Sequence, residues 1–305
     1  MNNEVSAHKI NSEQGIKLFK KYCHCVIILK DGRLATTGDY KEIKIVDPAN
    51  KFNVDISVTI DEKNDFKIRQ LDNGLLITND EHLTLWSLTK TELKKEFCFE
   101  QKIRNMITLT NNRFAGVTKE GILIFKGEAP YNKEPIAIIG EKNEDNDYYY
   151  TYLIQLKGKE ILLSNNNNIC LWDLTNYTLI EKNDIYRNGK PMIQIDDDNI
   201  MISNQILNFA KWEMKPWNDN TYWGTYFICG FTTKDGKVIC VTYGHQQDWG
   251  NYPIFILYDP KTNTYEKTDF DLADVSSIAV LDDHTFYASS DASYTSNDSL
   301  IVVKY

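Results

Sequence analysis

Apolar residues recur along this chain in short runs separated by polar turn pairs, and the spacing of those runs repeats from end to end. The clearest copy is 156–174, where two apolar runs, 161–163 and 169–174, flank the polar stretch Asn165-Asn166-Asn167-Asn168 and a third run, 152–156, precedes them. Runs this short, bounded by turn-forming residues, have the pattern of strand, tight turn and strand. The first half of the unit is an apolar residue, a turn pair two or three positions on, and a second apolar residue at plus five. It begins at Leu29, Leu71, Leu109, Leu156, Ile195, Thr233 and Leu281. The turn pairs include Asp31-Gly32, Asn73-Gly74, Asn111-Asn112 and Asp235-Gly236. Gly and Asn accept the positive φ of a two-residue hairpin, so each match predicts a β-hairpin corner.

Successive corners start 38 to 48 residues apart, the length of a four-stranded propeller blade, so seven corners predict seven blades. The last unit begins only at Leu281 and has room for three strands, near 277–281, 286–289 and 300–305. The alternating stretch Gly15-Ile16-Lys17-Leu18-Phe19 is predicted to supply the missing outer strand. A ring closed by both ends of the chain leaves no end blade to fray. The expected fold class is therefore all-β: a seven-bladed β-propeller of four-stranded antiparallel blades, its last blade closed by an N-terminal strand. Radially repeated β folds grow long as one unit, so residues 1–305 are expected to form a single domain.

A second anchor follows most corners: Ile43-Lys44-Ile45-Val46-Asp47, Leu83-Thr84-Leu85-Trp86-Ser87, Ile122-Leu123-Ile124-Phe125-Lys126, Ile169-Cys170-Leu171-Trp172-Asp173 and Phe255-Ile256-Leu257-Tyr258-Asp259. These stretches resemble the third strand of WD40 repeats, whose signature ends in Trp-Asp, and the likeness covers nearly the whole chain. Trp172-Asp173 is the literal match, and no Gly-His precedes the first strand of any unit. The resemblance implies a degenerate WD40-like propeller. Trp86 and Trp172 fall at equivalent points of two blades, where both are expected to be buried against a neighbour and to hold no ligand.

Candidate function comes from loop length and aromatic placement. Connections between the second and third strands, and from one blade to the next, leave the same face of the disc. On that face unit six inserts 243–253, unit seven inserts 290–299, and long linkers follow units three and five. Extra loop on one side of a rigid scaffold is where binding sites are built. Trp217, Trp223, Tyr243, His245, Asp248, Trp249, Tyr252, Asp291 and Tyr294 lie in or beside these segments. Trp and Tyr dominate binding hot spots, so these residues are the expected contact set for a protein or peptide. Gln, Asn and Asp beside aromatic rings would grip a sugar as well, so a carbohydrate or small-ligand propeller is the alternative, as is a hydrolase with a site assembled from several blades.

No Gly-x-Ser-x-Gly, His-Glu-x-x-His or phosphate-cradling loop occurs, and the five His are scattered over different units. The expectation is a non-catalytic scaffold or adaptor, monomeric on its own, without a cofactor. Cys23-His24-Cys25 has two thiols on one face of a strand but no further ligands nearby in sequence, so no metal is expected. A net charge of −9 argues against phosphate-backbone binding, which needs clustered Lys and Arg. The absence of a Cys-x-x-Cys, a signal-peptide pattern and an apolar run of membrane-spanning length predicts a cytoplasmic protein with reduced thiols and no membrane partner.

Overall fold

The computed structural model describes residues 11–20, 22–39, 42–60, 66–79, 82–142, 151–165, 168–184, 191–203, 205–217, 227–246, 250–269, 275–282, 284–290 and 299–304. Side chains are described for these except 11–14, 227, 243–246, 250–253, 267–269 and 290. The strands form seven four-stranded antiparallel sheets. In six of them the four strands follow one another in sequence. These blades span 23–59, 68–98, 106–139, 152–183, 192–216 and 227–269. The seventh combines Val275–Val280, Thr285–Ser290 and Leu300–Lys304 with the N-terminal strand Asn11–Ile16. The first strand of every blade touches the first strands of both neighbours, which closes the ring around a central channel.

The seven corners are where the pattern puts them. Gly32, Gly74, Gly158 and Gly236 have φ between 72° and 90°, and Asn111 and Asn112 replace them at 60° and 54°. In most corners the apolar residue donates its N–H to the carbonyl four positions on, as Leu29 does to Arg33 at 2.7 Å and Leu71 to Leu75 at 2.8 Å. Blade four has one extra residue, and Leu156 reaches Ile161 instead at 2.9 Å. That insertion moves Ile161 out of the core, and Leu162 becomes fully buried in its place. Strand register is periodic by two, so a single added residue is enough to exchange which side chain faces inward.

The N-terminal strand does close the ring, but it is Asn11–Ile16 rather than 15–19, paired antiparallel with Leu300–Lys304. Leu18 and Phe19 instead turn beneath the blade edge and are buried, their N–H groups both donating to Ser299 Oγ, at 2.9 and 3.0 Å. A second difference concerns blade six. The inserted stretch expected as a loop extends the hairpin: Val238–Gln246 pairs with Gly250–Asp259 as far as Gln246 opposite Gly250. In blade five the third strand is Gln205–Asn208, and Trp212 sits in the following turn at φ 56°.

The core lies between blades, in seven slices, one per junction. Alternation divides each blade between its two neighbours. In blade one Ile43 and Ile45 face blade two, whereas Leu34 and Val46 face blade seven. Each blade thus buries both of its faces, which is why its middle strands read as nearly continuous apolar runs.

Candidate functional site

One face of the disc carries the corners and is tied together by a repeated clasp. The residue before the corner is Gln in blades two, four and five. Gln70 Oε1 accepts from Lys30 N at 2.8 Å, Gln155 Oε1 from Thr110 N at 2.9 Å, and Gln194 Oε1 from Lys157 N at 2.7 Å. Each amide nitrogen then donates to a carbonyl of its own corner, at Gly74, Lys159 and Asp196. Between blades three and four this face has a second fastening. Arg113 is buried and donates to Leu174 O at 2.9 Å and to Thr110 O at 3.2 Å, and it pairs with Glu160. Burial pushes the Glu160 carboxyl up, but hydrogen bonds from Thr110 and Arg113 outweigh it and hold the group below its ordinary range.

The opposite face, which carries the strand two to strand three connections and the blade-to-blade connections, is open at that same junction. Blades three and four there enclose a cavity of about 240 Å³. Val117, Thr118, Gly121, Ile122 and the segment 140–142 form one wall. Thr151, Ser164, Asn168, Cys170, Trp172, Leu179 and Lys182 form the other. Its apolar lining includes Ile122, Trp172 and a Leu179 that stays 46% exposed. The rim carries Lys182, paired with Glu141 at 3.4 Å, and Lys142, which has no charged partner among the described residues.

The cavity has an explanation in sequence. Trp86 and Trp172 occupy equivalent ladder positions, opposite Leu76 and Leu162. Each indole N–H donates to a hydroxyl on the second strand of its own blade, Trp86 to Thr78 Oγ1 at 3.0 Å and Trp172 to Ser164 Oγ at 2.9 Å. Trp86 is buried as expected; Trp172 is only half-buried and lines the cavity, against the expectation that it would be covered and remote from any ligand. The ladders show what differs. Val58 pairs with Ile43 as Ile139 pairs with Ile122, so Ile60 corresponds to Glu141. Ile68 pairs with Thr78 as Leu153 pairs with Ser164, so Phe66 corresponds to Thr151. At the first junction Ile60 and Phe66 are buried in the core slice that covers Trp86. At the other, a charged residue and a hydroxyl stand in their places, and Gly140 leaves the edge of the Trp172 ring uncovered.

Chemically the cavity is suited to contact. Burial pushes the Cys170 thiol up, with Lys182 opposing, so it is a weak nucleophile. No His and no pair of carboxylates lines the cavity among the described residues. At the channel, Lys67 is reached by water yet enclosed by neighbouring blades. Its desolvation, with Arg69 beside it, lowers its affinity for a proton. Lys67 Nζ donates to Asn105 Oδ1 at 3.3 Å.

Of the residues singled out in sequence, Trp217 is corrected from a surface group to a core group. It is 1% exposed, packs edge-on against Tyr258 and Tyr265, and donates to Ser203 O at 3.1 Å. Its neighbours fill the slice between blades five and six, which an apolar ring with one satisfied N–H suits. Tyr243, His245 and Tyr252 lie on the extended hairpin of blade six, with side chains outside the described set. Trp223, Asp248, Trp249, Asp291 and Tyr294 lie outside the described residues. The cavity escaped sequence reading because Glu141 and Thr151 are unremarkable in isolation. Only alignment of unit three with unit one, and of unit four with unit two, would have shown an apolar residue missing at each place.

No family model matches the chain, and no curated protein matches its sequence. Among solved structures, the β-propeller domain of Cps50 (Swd1) from Myceliophteria thermophila superposes with a TM-score of 0.70 at 11% identity, over 97% of this chain and 100% of that one. The fold is a seven-bladed β-propeller. As many as 791 solved chains match, so the likeness identifies the propeller architecture and singles out no one protein as a functional guide. No helix among the described residues of the propeller is long and apolar enough to cross a membrane.

Proposed function

We propose that this propeller is a non-catalytic interaction module, a cytoplasmic scaffold or adaptor that engages a peptide segment of a protein partner on the face opposite the hairpin corners. The observation that carries this reading is the open cavity between blades three and four, set on the face nominated by loop length. Rigid support comes from the clasped corner face, and the six free thiols suit a reducing compartment. The cavity volume of about 240 Å³ falls below the roughly 300–1,000 Å³ of sites for drug-sized ligands, which favours a side chain over a sugar or cofactor.

Hydrogen exchange of the propeller, alone and with the partner recovered by affinity purification from its native cell, tests this. Protection should gather in the segments that bound the open face, 117–122, 140–142 and 164–172. Protection confined to the corner segments, or turnover of a partner-derived substrate, would refute it.

A further inference from the structure

The comparison of the two tryptophan junctions specifies the chemistry of the ligand. Trp86 shares its buried core slice with two apolar side chains, Ile60 and Phe66, whereas at Trp172 Glu141 and Thr151 occupy the equivalent positions. The space is bordered by Val117, Ile122 and Leu179, which continue the apolar surface that a covering side chain would touch. We infer that the cavity takes one branched or aromatic side chain from a partner peptide, with an acidic residue beside it meeting Lys142. The peptide supplies in trans the apolar cover that Ile60 and Phe66 provide in cis.

Three observations converge on this occupant. The sister junction shows that the same Trp and hydroxyl geometry is compatible with an aliphatic and an aromatic side chain in the same slice, since Ile60 is 7% and Phe66 1% exposed there. The charge on the rim is complementary to an acidic neighbour: Glu141 already faces Lys182, so Lys142 is the cation left over among the described residues. The walls belong to two blades fastened on the far side by Arg113 and Glu160, so the cavity is preformed and its occupant pays little reorganisation.

This inference rests on the peptide-binding reading above, and its test separates the two. A library of short random peptides is selected on the intact purified chain, and binding of the enriched sequences is then measured with three changes, two in the protein and one in the peptide. The first, Glu141→Ile with Thr151→Phe, rebuilds the cover seen at the first junction; its fold is checked by circular dichroism and melting. The second, Lys142→Glu, leaves the cavity open. The third is the peptide with its anchor residue changed to Ala.

Enriched peptides should share an Ile, Leu or Phe next to Asp or Glu. Affinity should fall about thirtyfold or more on loss of the anchor, as for a hot-spot residue, and about fivefold for Lys142→Glu. The covered variant should not bind, and bound peptide should shield Cys170 from a maleimide followed by mass spectrometry. Peptides that bind the covered variant with undiminished affinity and leave Cys170 reactive would overturn the cavity inference while sustaining the wider reading. Selection of no peptide at all would overturn both.

Discussion

The junction between blades one and two and the junction between blades three and four share their central residue, its hydrogen bond and its ladder position, yet one is sealed and the other is open. The difference lies in two side chains at the ends of strands, Ile60 and Phe66 against Glu141 and Thr151. A propeller buries its core in slices between blades, so one slice can be left open without exposing the others. Binding space can therefore be created locally, by removing cover at a blade edge and leaving the strands intact.

The largest effect that would sharpen this contrast is expected at the tryptophans. Trp86→Ala should cost about 3–5 kcal/mol in chemical denaturation, because a sealed slice loses both contacts and volume. Trp172→Ala should cost about half as much, since its ring already borders open space. Equal losses would erase the distinction between the junctions. Next in size is the cover itself: Ile60→Ala should cost about 2 kcal/mol, and Glu141→Ala at the matching position no more than about 0.5 kcal/mol.

Arg113 and Glu160 test the fastening beneath the cavity. Glu160→Gln should lower stability by about 1 kcal/mol or less at neutral pH, because the carboxylate is partly screened by solvent. A carboxyl whose folded-state pKa is depressed stabilises the fold above its unfolded value, near pH 4.3, and loses that contribution as pH falls through the folded value. The gap between wild type and Glu160→Gln in melting temperature should thus be full at pH 7 and close below about pH 4. A gap that persists in acid would mean that the pair does not fasten the junction through its charge. The last effect is a gain: Glu141→Ile alone should raise stability by up to about 0.5 kcal/mol through added apolar burial at an exposed position. A loss instead would show that the cavity cannot accept an aliphatic side chain.

Much of the architecture was legible because the determinants were local. Corner residues such as Asp31-Gly32 and Asn111-Asn112 advertise positive φ, and the third strands announce themselves by unbroken apolar runs. The N-terminal strand was recognised by its alternation but placed four residues late, because Leu18 and Phe19 are apolar for a different reason: they cap the blade edge through Ser299. The site was less legible. A place in the long linker after unit five suggests exposure for Trp217, yet aromatics fill wide gaps between blades as readily as they bind partners, and Tyr258 and Tyr265 enclose it. The cavity itself arises from what is missing at Glu141 and Thr151, and an absence has meaning only against the equivalent position in another blade.

The long hairpin of blade six also outreaches the strands beside it. Beyond the pair Thr242 and Ile254 its two strands stay paired for four more residue pairs, through Gln246 and Gly250, and among the described residues no inner or outer strand pairs with that extension. At about 3.3 Å per residue the ribbon stands on the order of 13 Å beyond the blade.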